Sequence, residues 1–363
     1  STQGLKFNEL LERSVCRFVV NFDLNPAKLQ ISPIPSCTRH TEQHEGQFYP
    51  ISEQDIKVTF PQGLPNRYQR QCKTFNEYCL MVRRPALELI GYLKNADYSQ
   101  PTIRYVLYGK RGSGKSLTLC HALHSCHRQG WLLLQVPDAH TLVKNCKELM
   151  PSSYKDNRID QPMESSTWLK NFKASNEHFL KQIQTQQRYV WSKRDVTEEG
   201  RPLGEVVDLG LARVKSASDA VSVVWKELKR QSGVGAYRLL VCVDGVNALW
   251  GRTTLKKEDK SMVCIGCVSS SFLLWLLVTT GGAVIASVTQ TGSLYNNKFL
   301  YKPHELLGKD GFEALDPFVP VQVHNYNEKE FESCYQYYLE RNWIQHEQGE
   351  TRPKTARPKQ ARF

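Results

Sequence analysis

The sequence has no disulfide framework. Its eleven cysteines are odd in number and scattered without the spacing of a stapled extracellular scaffold, which favours reduced thiols in an intracellular compartment. Zinc is disfavoured too: Cys264-Ile-Gly-Cys267 is the one C-x-x-C, with neither a second pair nor a suitably spaced histidine. No internal repeat of useful period is visible, which sets repeat arrays aside. Acids are in short supply, with 36 Asp plus Glu against 48 Lys plus Arg. The resulting net charge of +12 and isoelectric point near 9.1 favour an acidic partner, most often nucleic acid. One long uncharged run exists, residues 261–280. Its length formally allows a membrane span. Ser269–Ser271 interrupt it, however, Gly281-Gly282 follow at once, and a core strand is expected directly downstream. A buried helix or a misjoined coding segment is the better account, and no membrane span is expected.

What is present centres on Tyr105-Val-Leu-Tyr-Gly109-Lys-Arg-Gly-Ser-Gly114-Lys115-Ser116. An apolar strand, Ile103–Tyr108, runs into G-x-x-x-x-G-K-[ST], the pattern of a phosphate-binding loop. Gly109, Gly112 and Gly114 let the backbone curl until successive N–H groups face one concavity, with Lys110, Arg111 and Ser113 between them. The helix opening at Lys115 and Leu117 adds its unpaired N–H groups and dipole. Lys115 is placed to reach the β- and γ-phosphates, and Ser116 to offer a hydroxyl to Mg²⁺. The apolar run Leu239–Val243 ending in Asp244 is the expected partner, a carboxylate beside the same Mg²⁺. A further strand, Ala283–Val288, ends in Thr289-Gln290-Thr291, read either as sensors of the γ-phosphate or as a plain exit from the sheet.

Strands alternating with helices predict a parallel α/β sheet flanked by helices. Residues 1–84, rich in prolines (Pro26, Pro33, Pro35, Pro50, Pro61, Pro65), read as an N-terminal arm and extension. Within them, residues 1–22 carry a patchy apolar run in which Glu9 and Glu12 argue against an intact transit peptide. A nucleotide-binding α/β domain is expected over 85–300 and a helical region over 301–348. A basic, proline-containing tail, expected to be disordered, covers 349–363. Helices are expected at Pro85–Lys94, Glu164–Tyr189 and Ala217–Gln231, with a polar connector around Gly200 and Pro202.

Two signals of catalysis are missing. Gly245 follows Asp244 where many hydrolysing relatives carry a glutamate that orients the attacking water. Asn247 is the nearest polar candidate, and an amide is no general base. Arg252 reads as a surface ion-pairing residue in preference to an arginine finger. At most slow hydrolysis is expected, with no catalytic residue assigned. Base choice is also open, because Asn297-Lys298 supplies only half of the guanine-reading N-K-x-D motif; ATP is not excluded.

Several strings resemble one family closely. They are Asp244-Gly-Val-Asn-Ala-Leu-Trp-Gly-Arg-Thr-Thr-Leu-Lys, Pro137-Asp-Ala-His, Ser166-Thr-Trp-Leu-Lys-Asn-Phe-Lys, Glu227-Leu-Lys-Arg-Gln-Ser, Phe60-Pro-Gln-Gly-Leu-Pro and Phe331-Glu-Ser-Cys. The family is that of the GTP-binding protein of the mitochondrial small ribosomal subunit, the death-associated protein three family. The resemblance covers about residues 38–260 and 281–347, and departs at 261–280 and after Gly349. It implies a P-loop NTPase fold of the AAA-like type, residence in the mitochondrial matrix, and a place in the ribosome's small subunit with bound GTP or GDP and Mg²⁺. It also implies contacts with ribosomal RNA, ribosomal proteins and large-subunit bridge proteins, and a role in apoptosis. The family's nucleotide site falls on Gly109 to Ser116 and Asp244.

Overall fold

The computed structural model describes residues 36–144, 146–152, 156, 158–256, 261–263, 280–290 and 299–344. The chain divides into Ser1–Ile34 and Pro35–Phe363, and all described residues belong to the second unit. The readings of residues 1–22, the Cys264/Cys267 pair and the tail 349–363 therefore lie outside the described residues, as does nearly all of 261–280. Among the described residues no helix is long and apolar enough to cross a membrane.

Where an extended arm is expected, the prolines instead mark element boundaries. Pro50 closes strand β1 (Phe48–Pro50), Pro61 follows helix α1 (Glu53–Thr59), and Pro65 caps helix α2 (Asn66–Phe75). Strand β2 (Cys79–Met81) pairs antiparallel with β1. Tyr49, Ile51, Phe60, Leu64 and Tyr68 are all buried, so residues 36–81 are packed structure and not an arm.

Helix α3 (Arg84–Asn95), with proline in its first turn, leads to β3 (Ile103–Tyr108). There follow α4 (Lys115–Arg128), β4 (Leu132–Val136), the short α5 (Ala139–Lys144) and α6 (Pro162–Gln182). Helix α6 ends earlier than its apolar spacing predicts. Helix α7 (Leu203–Ala212) occupies the expected polar connector. Its Leu203, Val206, Val207 and Gly210 share a buried face, and a Cβ on Gly210 would sit 2.6 Å from both Leu169 and Ala220. Helix α8 (Ala217–Ser232), β5 (Leu239–Val243) and β6 (Gly282–Ser287) come next. The chain then forms α9 (Pro303–Leu315), β7 (Phe318–Gln322) and α10 (Glu328–Glu340).

The main sheet is five-stranded and wholly parallel, in the order β7-β3-β6-β5-β4. One row across it reads Val319, Tyr105, Ile285, Cys242, Gln135. Because β7 completes an edge, the region 301–348, expected to be helical, also contributes a strand to the sheet. Pro320 is tolerated there because an edge strand need not donate on its open side. At the other edge, β4 is covered by side chains. Asn176 accepts from the Leu133 N–H (2.8 Å) and donates to its carbonyl (2.9 Å), and the Trp168 indole donates to Gln135 O (3.0 Å). Asn176 is fully buried and sits where α6 departs from helical geometry. An otherwise open strand edge is thus satisfied without a further strand. Both faces of the sheet carry helices, and β5 and β6 are buried at every position.

Candidate functional site

Because the sheet is parallel, the three inner strands β3, β6 and β5 all end at the same edge. Residues 109–114 leave β3 as a tight loop in which Gly109 takes φ 152° and Gly114 φ 97°. A Cβ on Gly109 would lie 2.2 Å from Val323 O, and one on Gly114 would lie 2.7 Å from the Arg83 guanidinium. The loop therefore requires glycine twice over, for conformation and for space.

Lys115 opens α4 and folds back into the loop, its Nζ donating to Gly109 O (2.9 Å) and Lys110 O (3.0 Å). It is 7% exposed, and burial draws its ammonium down to about 8, opposed by the Asp244 charge. Such a cation, hydrogen-bonded among the described residues only to neutral carbonyls, is suited to an anion. The Ser113 hydroxyl, 4% exposed, is a buried polar group with no hydrogen-bond partner among the described residues. Lys110 and Arg111 are exposed at the loop tip. Beside Lys110 a cavity of about 280 Å³ opens, lined by Tyr301, Gln322, Val323, His324 and Asn325. Leu117 lies in the first turn of α4.

Asp244 leaves β5, with β6 between that strand and β3. Its carboxylate receives hydrogen bonds from the Ser116 and Ser287 hydroxyls. Burial pushes the Asp244 carboxyl up, against the lowering by these two hydroxyls. The structure thus joins Ser116 to Asp244, the two residues selected from sequence for Mg²⁺. Two oxygen donors this close suit a hard divalent cation, which would balance the buried carboxylate and draw charge from a phosphate.

Thr289 is fixed where the chain leaves β6. Its backbone exchanges two hydrogen bonds with the Asn247 side chain (2.8 and 2.9 Å), and its hydroxyl lies 3.5 Å from His140 Nε2. Asn247 is 1% exposed and committed to this pairing. Gln290 instead donates to Leu300 O at 2.9 Å; Thr291 lies outside the described residues.

Sequence reasoning missed Arg83 and Glu330. Arg83 donates through Nε and Nη2 to the two Glu330 oxygens (3.1 and 3.0 Å), through Nη1 to Ser113 O, and through Nη2 to His324 O (2.9 Å). It also lies over the Tyr326 ring at 4.7 Å. Glu330 accepts from Asn327 N at 3.2 Å as part of the capping box that starts α10. One buried ion pair therefore braces the loop against the C-terminal helix. The capping box was readable locally as Asn-x-x-Glu, but nothing local pairs residues 83 and 330.

Residues 80–358 match the family described as mitochondrial ribosomal death-associated protein 3. Over 316 residues the chain is 59% identical to small ribosomal subunit protein mS29 of Mus musculus, an overlap covering 86% of this chain and 81% of that protein. Identity to the Bos taurus protein of the same name is 58% over 316 residues, covering 86% and 80%. A Neurospora crassa mS29 is 25% identical over 235 residues, covering 60% of this chain and 47% of that protein. By the extent of the family match and the level of these identities, the chain belongs to the mitochondrial ribosomal death-associated protein 3 family.

Proposed function

We propose that this protein is a structural component of the small subunit of the mitochondrial ribosome, in the matrix, and holds a guanine nucleotide with Mg²⁺. The α/β fold is read as a P-loop NTPase of the AAA-like type, with residues 109–117 around the phosphates and Ser116 and Asp244 toward the metal. The observation that carries the reading is Lys115: a buried cation inside a glycine loop, beside a serine already bonded to a carboxylate. Guanine follows from the family resemblance and not from a base-reading motif.

Contact with ribosomal RNA has a surface to use. The outer face of α2 presents Arg67, Arg70 and Lys73, all exposed, on a helix without an acid. Glu77, just beyond it, is taken up by Arg341 and Tyr337. A cation ridge of this kind suits a phosphate backbone. Ribosomal proteins and large-subunit bridge proteins complete the proposed partners. The word death in the family description supports a second reading, an apoptotic adaptor on the same fold.

The test combines sedimentation and chemistry. Mitochondrial lysate is fractionated on a sucrose gradient, and the nucleotide released by heat from purified protein is identified by chromatography. Co-sedimentation with the small subunit and release of GDP or GTP are expected. A mitochondrial pool that stays at the top of the gradient would refute the ribosomal assignment, and release of adenine nucleotide alone would refute the guanine one.

A further inference from the structure

Position 245 lacks a carboxylate, yet the space above it is filled. A Cβ on Gly245 would lie 2.8 Å from both Cε1 and Nδ1 of His140, and 3.6 Å from the Thr289 hydroxyl. The imidazole occupies the room that a side chain following Asp244 would take.

Its placement is built by the backbone. Asp244 N donates to Val136 O and Ala139 N to Asp244 O, both at 2.9 Å, which stitches the end of β4 to the end of β5. Asp138 then accepts from His140 N (2.9 Å) and lies 2.8 Å from its Nδ1. A carboxylate at that distance keeps the proton on Nδ1, so the Nε2 lone pair faces outward. It faces Thr289, at the exit of β6 between the phosphate loop's strand and the Asp244 strand. An acid and an imidazole oriented by it, with Nε2 turned toward the Thr289 hydroxyl at the exit of β6, repeat the general-base logic of nucleophile activation.

We infer that His140, oriented by Asp138, is the water-orienting base of a slow nucleoside triphosphate hydrolysis at this site. The inference rests on the nucleotide reading above and adds an activity to it. In the reaction, Nε2 of His140 accepts a proton from water while the water oxygen bonds to the terminal phosphorus. The bond from that phosphorus to the bridging oxygen breaks, and the bridging oxygen departs with the electron pair as nucleoside diphosphate. Inorganic phosphate is the second product, and the imidazolium later returns its proton to solvent. Thr289, locked by Asn247, borders the same space and limits where that water can sit.

The experiment uses the full chain with four substitutions: His140→Ala, His140→Gln, Asp138→Asn and, as a binding control, Lys115→Met. Two quantities are measured, single-turnover conversion of GTP to GDP and the affinity for GDP with and without aluminium fluoride, a mimic of the transferring phosphoryl group. The His140 variants are expected to slow conversion about 10²-fold. Their GDP affinity should stay within about twofold of wild type, while the gain in affinity from aluminium fluoride is lost; Asp138→Asn should weaken both in part. A purely structural His140 would change GDP affinity or folding and leave the fluoride gain intact. Conversion in His140→Ala and His140→Gln at the wild-type rate, or no conversion by wild type, overturns the inference. If wild type binds GDP no better than Lys115→Met, the nucleotide reading itself falls, and this inference with it.

Discussion

Replacing Lys115 with methionine should move stability and binding in opposite directions. In the protein without ligand, burial holds the Lys115 ammonium at about 8. Going from the ordinary 10.5 to about 8, at ~1.36 kcal/mol per pH unit, amounts to about 3 kcal/mol of unfavourable burial at pH 7. Methionine removes that penalty at similar volume but gives up the bonds to Gly109 O and Lys110 O, worth roughly 1 kcal/mol each. The ligand-free variant should therefore be about 1 kcal/mol more stable than wild type, while its affinity for GTP with Mg²⁺ falls on the order of 10²-fold. The pH dependence gives a second check. Between pH 8 and 10.5 the unfolded chain holds the lysine's proton and the folded one does not, so wild-type stability rises with pH relative to the variant. Urea titrations of both proteins at pH 7 and 9.5, with and without GTP, supply the stability difference at each pH and the effect of ligand. A ligand-free variant destabilised by more than about 2 kcal/mol, with GTP affinity retained, would refute the reasoning.

Other expectations follow from single contacts. Gly109→Ala would press a methyl against Val323 O, and thermal melts with GTP titration should show a loss of about 1–3 kcal/mol and at least tenfold weaker binding. Asn176→Leu leaves both backbone groups of Leu133 unpaired at the sheet edge, so chemical denaturation should report about 2–4 kcal/mol of destabilisation. Reversing Arg67, Arg70 and Lys73 to glutamate should leave the melting temperature nearly unchanged. It should weaken binding to small-subunit RNA and flatten the salt dependence of that binding, as filter binding at several salt concentrations would show.

The strand Ile103–Tyr108 and the loop after it were legible because their rules are local: an apolar run, then glycines where the backbone must curl. The same holds for Leu239–Asp244. Strand β7 was not, since Pro320 inside it argues against a strand until its edge position is known. Helix α7 hid behind Gly204 and Gly210, whose small size serves helix packing that no single segment displays. The early prolines were read as marks of extension, whereas they bound short packed elements. Around the glycine loop, Ser116 and Asp244 were named from the motif, but their neighbours Ser287, Arg83 and Glu330 were not. Each acts through a partner brought near only by the sheet. Arg83 and Glu330 are 247 positions apart, too far for any spacing rule to join them.

The sheet's strand order also sets when, during synthesis, the glycine loop after β3 can close. Strand β3 is made before its two neighbours, β6 and β7, which are the last two strands among the described residues. The loop's curl leans on Val323 and, through Arg83, on Glu330, so a nascent chain stopped short of α10 has the complete glycine motif without its supports. Pairings of such long sequence separation form late, because loop closure must come before the contacts that reward it. The glycine loop's final shape thus depends on residues made more than 200 positions after it, and truncation before α10 should leave it unbraced.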